Sequence, residues 1–513
     1  MVQMRLEEGN MRKWICGLLA ATMSVSMVGC ASVPQVAAGS AADEEEYLGE
    51  NMDNYDLYPV SVEGFIGDTM PFYEDGTYHI FYLADQRNGK QGYHPWAMID
   101  TSDFCSYEDA GVVINYGDSV EDQDIALGTG SVIRDADGLY HAFYTGHNDT
   151  YEPKEAVMHA TSKDLKEWTK IPEDTFTAGD NYSKNDFRDP YVRYMESEKC
   201  YWMLVTTRFE NSGVIAKYTS TDLSHWTDAG VFFENDMGTD SNMECPTLLP
   251  YQGKWYLSFS DQWPNRVVHY RVADAPDGTF VKPERDSFDC DGFYAGRLET
   301  DGEKLYVVGW NGTKKSHQDS EVYDWGGNMV THLLQQQKDG TLAPVMNPEI
   351  EELLSKELVL SPLKMTESVS EADGSYTFSG NEYEMVGFKR LMGSYRLETT
   401  IKDYDPQGIF GFAFNTNDEN VGNINIVLNP ATNRIEFYNT GNMMEKSAQS
   451  YIDYDFSGKD ELHISMVISG GVVVMYVNDE VAFTTRMYLS QGMEWGIFGI
   501  NSKVTFDGVK LYK

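Results

Sequence analysis

One pattern recurs through the first 310 residues: a tight turn built on Asp-Gly or a near equivalent, then an aromatic-rich apolar run. It reads Asp75-Gly76-Thr77-Tyr78-His79-Ile80-Phe81-Tyr82, then Asp137-Gly138-Leu139-Tyr140-His141-Ala142-Phe143-Tyr144. It returns at Lys199-Cys200-Tyr201-Trp202, at Gln252-Gly253-Lys254-Trp255-Tyr256 and at Asp301-Gly302-Glu303-Lys304-Leu305-Tyr306. The turn residues fall at 76, 138, 199, 253 and 302, a period of about 50–60 residues. Asp-Gly between apolar runs makes a hairpin, because the turn needs φ above zero and the flanks favour strands. A second marker follows: Thr161-Ser162-Lys163-Asp164-Leu165-Lys166-Glu167-Trp168 and Thr219-Ser220-Thr221-Asp222-Leu223-Ser224-His225-Trp226, with a degenerate copy at 101–107. Each repeat is then a small antiparallel sheet that cannot bury its faces alone. All-strand repeats of this length pack as propeller blades, so five copies predict a five-bladed propeller over residues 51–350. A row of β-sandwiches is the alternative, which the regular spacing disfavours.

From Tyr376 onward the strands shorten and alternate apolar with polar residues, giving eight candidates between Tyr395 and Tyr512. That is the signature of a β-sandwich, expected over residues 374–513. Residues 351–373 are expected to link the two, with helical character over Glu351–Thr366. The chain as a whole is therefore expected to be all-β.

The amino terminus is an address. Met11-Arg12-Lys13 precedes an apolar run from Trp14 to Val28, the layout of a secretory signal. Ser26-Met27-Val28-Gly29-Cys30 resembles a bacterial lipobox, which makes Cys30 the lipidation site, residues 1–30 the signal and 31–50 a flexible tether. The expected location is the bacterial cell surface, with membrane contact only through the anchor. A plain signal peptide cleaved near Ala31 is the alternative. Cys105, Cys200, Cys245 and Cys290 are widely spaced, with no pattern of a metal site. With 39 Lys+Arg against 81 Asp+Glu the net charge is −42, which argues against a nucleic-acid partner.

A propeller turns its innermost strands toward one axis, and here these precede each turn. Counting back from the turn residue gives Asp68, Gly130, Asp189, Glu244 and Ala295. Three of the five are acids amid small or apolar neighbours, where a carboxylate is costly unless used or paired. Turn capping by each acid separately is the alternative. Arg188, Arg297 and His147 are the pairing candidates. Glycoside cleavage needs two carboxylates flanking the bond, and a third can stabilise the developing positive charge.

At these residues the chain resembles the family 32 glycoside hydrolases, the invertase, levanase and inulinase group. Arg188-Asp189-Pro190 matches the family's Arg-Asp-Pro motif, Glu244-Cys245 its Glu-Cys motif, and Phe293-Tyr294-Ala295 a further segment beside the site. His94-Pro95-Trp96-Ala97 and His332–Leu342 resemble flanking family segments. The first motif departs: where the family has Trp-Met-Asn-Asp-Pro-Asn-Gly, this chain has Phe65-Ile66-Gly67-Asp68-Thr69-Met70-Pro71, and Leu83 stands where a Gln is usual. The resemblance implies a propeller followed by a sandwich, and a retaining mechanism with no metal or organic cofactor. Asp68 is implied as nucleophile, Glu244 as acid/base and Asp189 as transition-state stabiliser. Arg188, Trp96, Gly130, Ser131, Tyr294 and Trp310 are the candidate substrate contacts, and the expected partner is an oligo- or polysaccharide. Trp263 is a further stacking candidate. Two rival readings remain: a family 43-like inverting arabinosidase or xylosidase, and a lipid-anchored glycan-binding protein on a degenerate propeller.

Overall fold

The computed structural model describes residues 57–513 apart from 87–92, 263–264, 418–421, 442, 444–445 and 491–492. The signal, Cys30, the tether and Trp263 lie outside the described residues. Almost all regular structure is strand; the α-helix among the described residues is the single segment Pro348–Leu353.

The repeats fold as the hairpin signal predicts. Each turn joins an inner strand to its neighbour: Phe65–Glu74 to Thr77–Asp85, Ala126–Arg134 to Tyr140–His147, Phe187–Met195 to Cys200–Phe209, Met243–Tyr251 to Lys254–Asp261, and Tyr294–Thr300 to Leu305–Lys314. Gly76, Gly138, Gly253 and Gly302 take φ between 81° and 95° in these turns, a conformation that costs glycine little. The third repeat lacks a glycine, and Lys199 takes φ 56° in its place. The five inner strands pack side by side, each against the next, and the last against the first. Closure runs through the long strand Tyr323–Gln336. It pairs with Leu305–Lys314 and Leu342–Val345, and touches the first inner strand at Ile66↔Gly327. Between adjacent sheets lie apolar layers such as Phe143, Val157, Phe187, Val192, Met203 and Val205.

The C-terminal part is two facing sheets, one of eight strands and one of seven. Their inner faces hold a large apolar core that includes Phe378, Leu397, Phe412, Ile426, Phe483, Trp495 and Phe506. The expected linker is corrected here. Helix covers only Pro348–Leu353, and the strands Glu357–Leu358, Lys364–Met365 and Ser370–Ala372 already pair with sandwich strands. Pro348 at the helix start favours that one turn, but no apolar stripe continues at helical spacing, so extended pairing wins beyond it. The two parts share a core: Val467, Val472, Val474, Tyr476 and Ala482 of the sandwich pack with Tyr256, Phe288, Phe293 and Val330 of the propeller. Cys105, Cys245 and Cys290 are buried free thiols and Cys200 a half-buried one.

Candidate active site

Each inner strand breaks its ladder at one place. Pairing skips two residues between Gly67 and Met70, Leu127 and Gly130, Arg188 and Tyr191, Glu244 and Thr247, and Tyr294 and Arg297. The first skipped residue in four of these bulges is a non-glycine in the left-handed region: Asp68 (φ 38°), Asp189 (58°), Cys245 (55°) and Ala295 (51°). Such values are strained and persist where surrounding structure imposes them, commonly at functional sites. The bulge bends the strand and re-aims the side chains on either side of it.

This register corrects the one counted from the turns. Equivalent to Asp68 and Asp189 are Gly128, Cys245 and Ala295; Gly130 and Glu244 are not. Glu244 sits one residue earlier, level with Gly67, Leu127, Arg188 and Tyr294. The span from bulge to turn varies from seven to ten residues among the repeats, so counting from the turn loses register. The carboxylates therefore occupy two adjacent rows, Asp68 and Asp189 in one and Glu244 in the other.

The rows knit neighbouring sheets together. Arg188 Nη2 donates to Glu244 Oε1 at 2.8 Å, and Tyr294 Oη donates to Glu244 Oε2 at 2.5 Å. The backbone N–H of Cys245 donates to Asp189 Oδ2 at 2.9 Å, and that of Asp189 donates to Thr145 Oγ1 at 2.9 Å. Thr129 Oγ1 donates to Asp68 Oδ2 at 2.9 Å, and Trp310 Nε1 to Asp68 Oδ1 at 3.2 Å. Glu155 accepts from Arg188 Nη1 and from the Phe187 N–H, which fixes the guanidinium from behind.

The three carboxyls line one cavity of about 450 Å³, with Arg188, Tyr294, Gly128, Thr129 and Cys245. Its outer wall is Gln262, Lys315, Tyr323, Asp324 and Trp325. Trp325 stacks on His94 with ring centroids 4.3 Å apart. A Cβ on Gly67 would stand 2.4 Å from the Trp325 ring, so the indole fills the space beside Asp68 that a side chain at 67 would take.

Electrostatics separate the acids. Burial, then the Asp189 and Glu244 carboxylates, push Asp68 up to about 7, against the hydrogen bonds from Thr129 and Trp310. Burial also raises Asp189, which is 4% exposed; Arg188 and Arg297 oppose this and Glu244 adds to it. Arg188 stays charged because Glu244, Glu155 and Asp189 outweigh its burial. Burial raises the Tyr294 phenol and the Cys245 thiol, so both keep their protons.

The other sequence candidates divide. Arg188 and Tyr294 line the cavity, and Trp310 lies beneath it, fully buried and bonded to Asp68. Trp96, Gly130 and Ser131 do not line it. Trp96 is fully buried and donates to the Gly128 carbonyl at 3.0 Å, so it supports the bulge. Gly130 and Ser131 lie past the bulge, in a separate cavity of about 300 Å³ with Tyr191, Arg193, Arg297 and Glu299. Ser131 Oγ accepts from the Val192 N–H at 2.9 Å. Thr129, Gln262, Lys315, Tyr323, Asp324 and Trp325 join the site without a motif that marks them. Thr129 was within reach, beside Gly130 in the same Gly-Thr-Gly run; the loop residues carry no local signal, because only the closing of the ring brings them here.

Residues 63–342 match the family described as "Glycosyl hydrolases family 32 N-terminal domain", and residues 356–511 match "GH32, BT1760-like, C-terminal domain". A levanase of Bacillus subtilis is 26% identical over 239 residues, which are 44% of this chain and 33% of the levanase. An invertase of Schizosaccharomyces pombe is 27% identical over 281 residues, 48% of this chain and 46% of the invertase. The chain thus spans a third to a half of the length of these relatives. The exo-inulinase of Aspergillus awamori superposes with a TM-score of 0.68 at 15% identity, over 90% of this chain and 99% of that one, and shares the propeller-and-sandwich fold. With the N-terminal family match alone covering more than half of its residues, the chain belongs to glycosyl hydrolase family 32.

Proposed function

We propose that this protein is a retaining glycoside hydrolase that cleaves fructosyl linkages in sucrose, fructo-oligosaccharide or fructan. The observation that carries the reading is the single cavity lined by Asp68, Asp189 and Glu244, each with a different set of partners. Family membership favours this over the family 43-like alternative. The complete acid set favours it over a glycan-binding scaffold.

Asp68 has no ion-pair partner among the described residues; hydrogen bonds from Thr129 and Trp310 orient its carboxyl, whose ionised form is the nucleophile. It attacks the anomeric carbon as the glycosidic C–O bond breaks, and the glycosyl unit becomes an ester of Asp68. Glu244 gives its proton to the leaving oxygen. It then takes a proton from water, which attacks the ester and releases the sugar with net retention. Tyr294 and Arg188 hold the two oxygens of Glu244 in one orientation for both half-reactions. Asp189, fixed by the Cys245 N–H, lies ready to accept sugar hydroxyls and to stabilise the positive charge that develops.

We also read the propeller as five-bladed. The equivalent bulges, the turns and the side-by-side packing of the five inner strands support that count. The propeller is taken to end at residue 350; residues 51–56 at the start of the expected span lie outside the described residues. Export as a cell-surface lipoprotein is part of the proposal, supported by the basic start, the apolar run and Ser26–Cys30. Fractionation of a bacterial host should find the parent protein in membranes and Cys30→Ala released or unprocessed; identical distributions would remove the anchor from the account. The functional test is a hydrolysis screen with sucrose, inulin, levan, arabinan and xylan. Turnover should be confined to the first three and lost in Asp68→Asn. Cleavage of arabinan or xylan alone would favour the family 43-like alternative.

A further inference from the structure

The outer wall of the cavity is one hairpin. The strand Leu305–Lys314 ends in a turn, residues 315–322 follow, and the strand Tyr323–Gln336 begins. Lys315, Tyr323, Asp324 and Trp325 of this hairpin face the cavity. Its tip is strained and open to solvent: Ser316 (φ 54°) and His317 (51°) are both left-handed, and 315–318 are exposed.

The hairpin is closed on itself by the Lys315 N–H donating to the Val322 carbonyl at 3.1 Å, Trp325 leans on His94, and the sandwich holds the rest from behind. Gln449 accepts from Lys314 Nζ at 3.0 Å through Oε1 and donates to the Glu321 carbonyl at 2.7 Å through Nε2. Asn439 Nδ2 donates to the Asp319 carbonyl at 3.1 Å. The Tyr488 N–H donates to Asp319 Oδ1 at 2.8 Å, and the Tyr488 phenol accepts from the Lys314 N–H at 2.9 Å. Lys314 Nζ also donates to the Asp319 carbonyl at 3.1 Å and lies 4.7 Å from the Phe437 ring centroid. Lys314 is fully buried. Every one of these sandwich groups binds the back of the hairpin, and none of them lines the cavity.

We propose that the β-sandwich is a positioning domain for the active site. Through Gln449, Asn439 and Tyr488 it fixes the 314–325 hairpin, so that Trp325, Asp324 and Lys315 form a preorganised wall for the bound glycan. Gln449 and Asn439 are positioning residues, since they act through the hairpin. The proposal rests on the glycosidase reading for what the wall binds, and on geometry alone for the clamp. A wall held open in the free enzyme binds substrate without paying for loop ordering on each encounter, and that saving is lost when the clamp is cut.

The test compares the full-length parent with Gln449→Ala, Asn439→Ala and the double variant, using any substrate from the screen that the parent turns over. The double variant should raise KM about tenfold with kcat within about twofold, a loss of binding rather than of chemistry. A second readout needs no activity. Acrylamide quenching of tryptophan fluorescence, with Trp325→Phe variants as the background, should show Trp325 more accessible once the clamp is cut. Protease nicking between 314 and 325 should also rise. Asp319→Asn keeps the acceptor for the Tyr488 N–H and should lie nearer the parent than Asp319→Ala, which should follow the clamp variants. If no fructosyl substrate is turned over, the glycosidase reading fails while quenching and nicking still decide the clamp. Unchanged KM, quenching and nicking in the double variant overturn the proposal. So does a fall in kcat that tracks loss of folded protein by circular dichroism while KM stays at the parent value.

Discussion

Asp68 is held against its own interest. Buried beside two other carboxyls, it keeps its proton up to about 7 in the free enzyme, whereas in an unfolded chain it would ionise near 4. A raised folded-state value means that the folded form binds more protons than the unfolded one between those limits. The stability this group contributes is fully present below about pH 4 and is lost as pH rises through about 7. Asp68→Asn mimics the protonated form. It is therefore expected to raise Tm by a few degrees at about pH 8 and to match the parent at about pH 4, read by calorimetry at the two pH values. The same variant should lose at least about 10⁴ in kcat if Asp68 is the nucleophile proposed above. Equal melting at both pH values would mean that Asp68 is not strained by its neighbours. Glu244→Gln should behave differently. Its deficit in the first half-reaction should shrink on substrates with good leaving groups, which need no proton, and burst kinetics on such substrates would show it.

The element that makes the site is the bulged inner strand, repeated in each sheet of the ring. In the second sheet the bend brings Gly130 so close to its partner strand that a Cβ would stand 1.8 Å from the Phe143 carbonyl oxygen. Gly130→Ala should cost about 2–4 kcal/mol in a denaturant melt, by forcing the two strands apart. A neutral effect would mean that this pairing is looser than described. In the sandwich, buried Glu384 accepts from the backbone N–H groups of Ser379, Gly380 and Asn381 and from the hydroxyls of Ser379 and Ser368. Burial alone would raise it, but these donors hold it down to about 2. Its contribution is thus present above about pH 4 and lost as pH falls through about 2. Glu384→Ala should cost about 1–3 kcal/mol at neutral pH, and its deficit should narrow as pH falls through about 2. Sequence reading reached this scale unevenly. The Asp-Gly turns and aromatic runs are local signals, so Tyr78–Tyr82 and Tyr140–Tyr144 could be placed without coordinates. Asp189 and Glu244 could be named from their motifs. Their register could not, because a bulge is written by the partner strand and the axis as much as by the residues inside it; Cys245 and Gly128 are the true counterparts of Asp68. Trp96 carried a site-like signature and turned out to brace the Gly128 carbonyl from inside the sheet.

At the scale of the whole molecule, propeller and sandwich share buried groups as well as apolar surface. Arg486, 2% exposed, donates to the carbonyls of Gly312 and Asn311 and to the Asn328 amide oxygen. Asp289 of the propeller binds Thr484 and contacts His332 at 3.0 Å, all three beneath the surface. Cutting such a junction leaves buried polar groups without partners. Calorimetry of the parent should therefore show one cooperative transition, and Arg486→Ala should lower it or split it into two; two independent transitions in the parent would contradict the shared core. This junction also explains why the hairpin at 314–325 escaped sequence reading: its partners lie more than 100 residues away, at Asn439, Gln449 and Tyr488. Transfer through an ester on Asp68, as proposed, would be written in the anomer of the first product. Sucrose, inulin and levan should be followed by NMR within the first turnovers, before mutarotation. β-Fructofuranose should be the first-formed product from at least one of the three. First release of the α anomer, or no fructose from any of them while arabinan or xylan is cleaved, would contradict it.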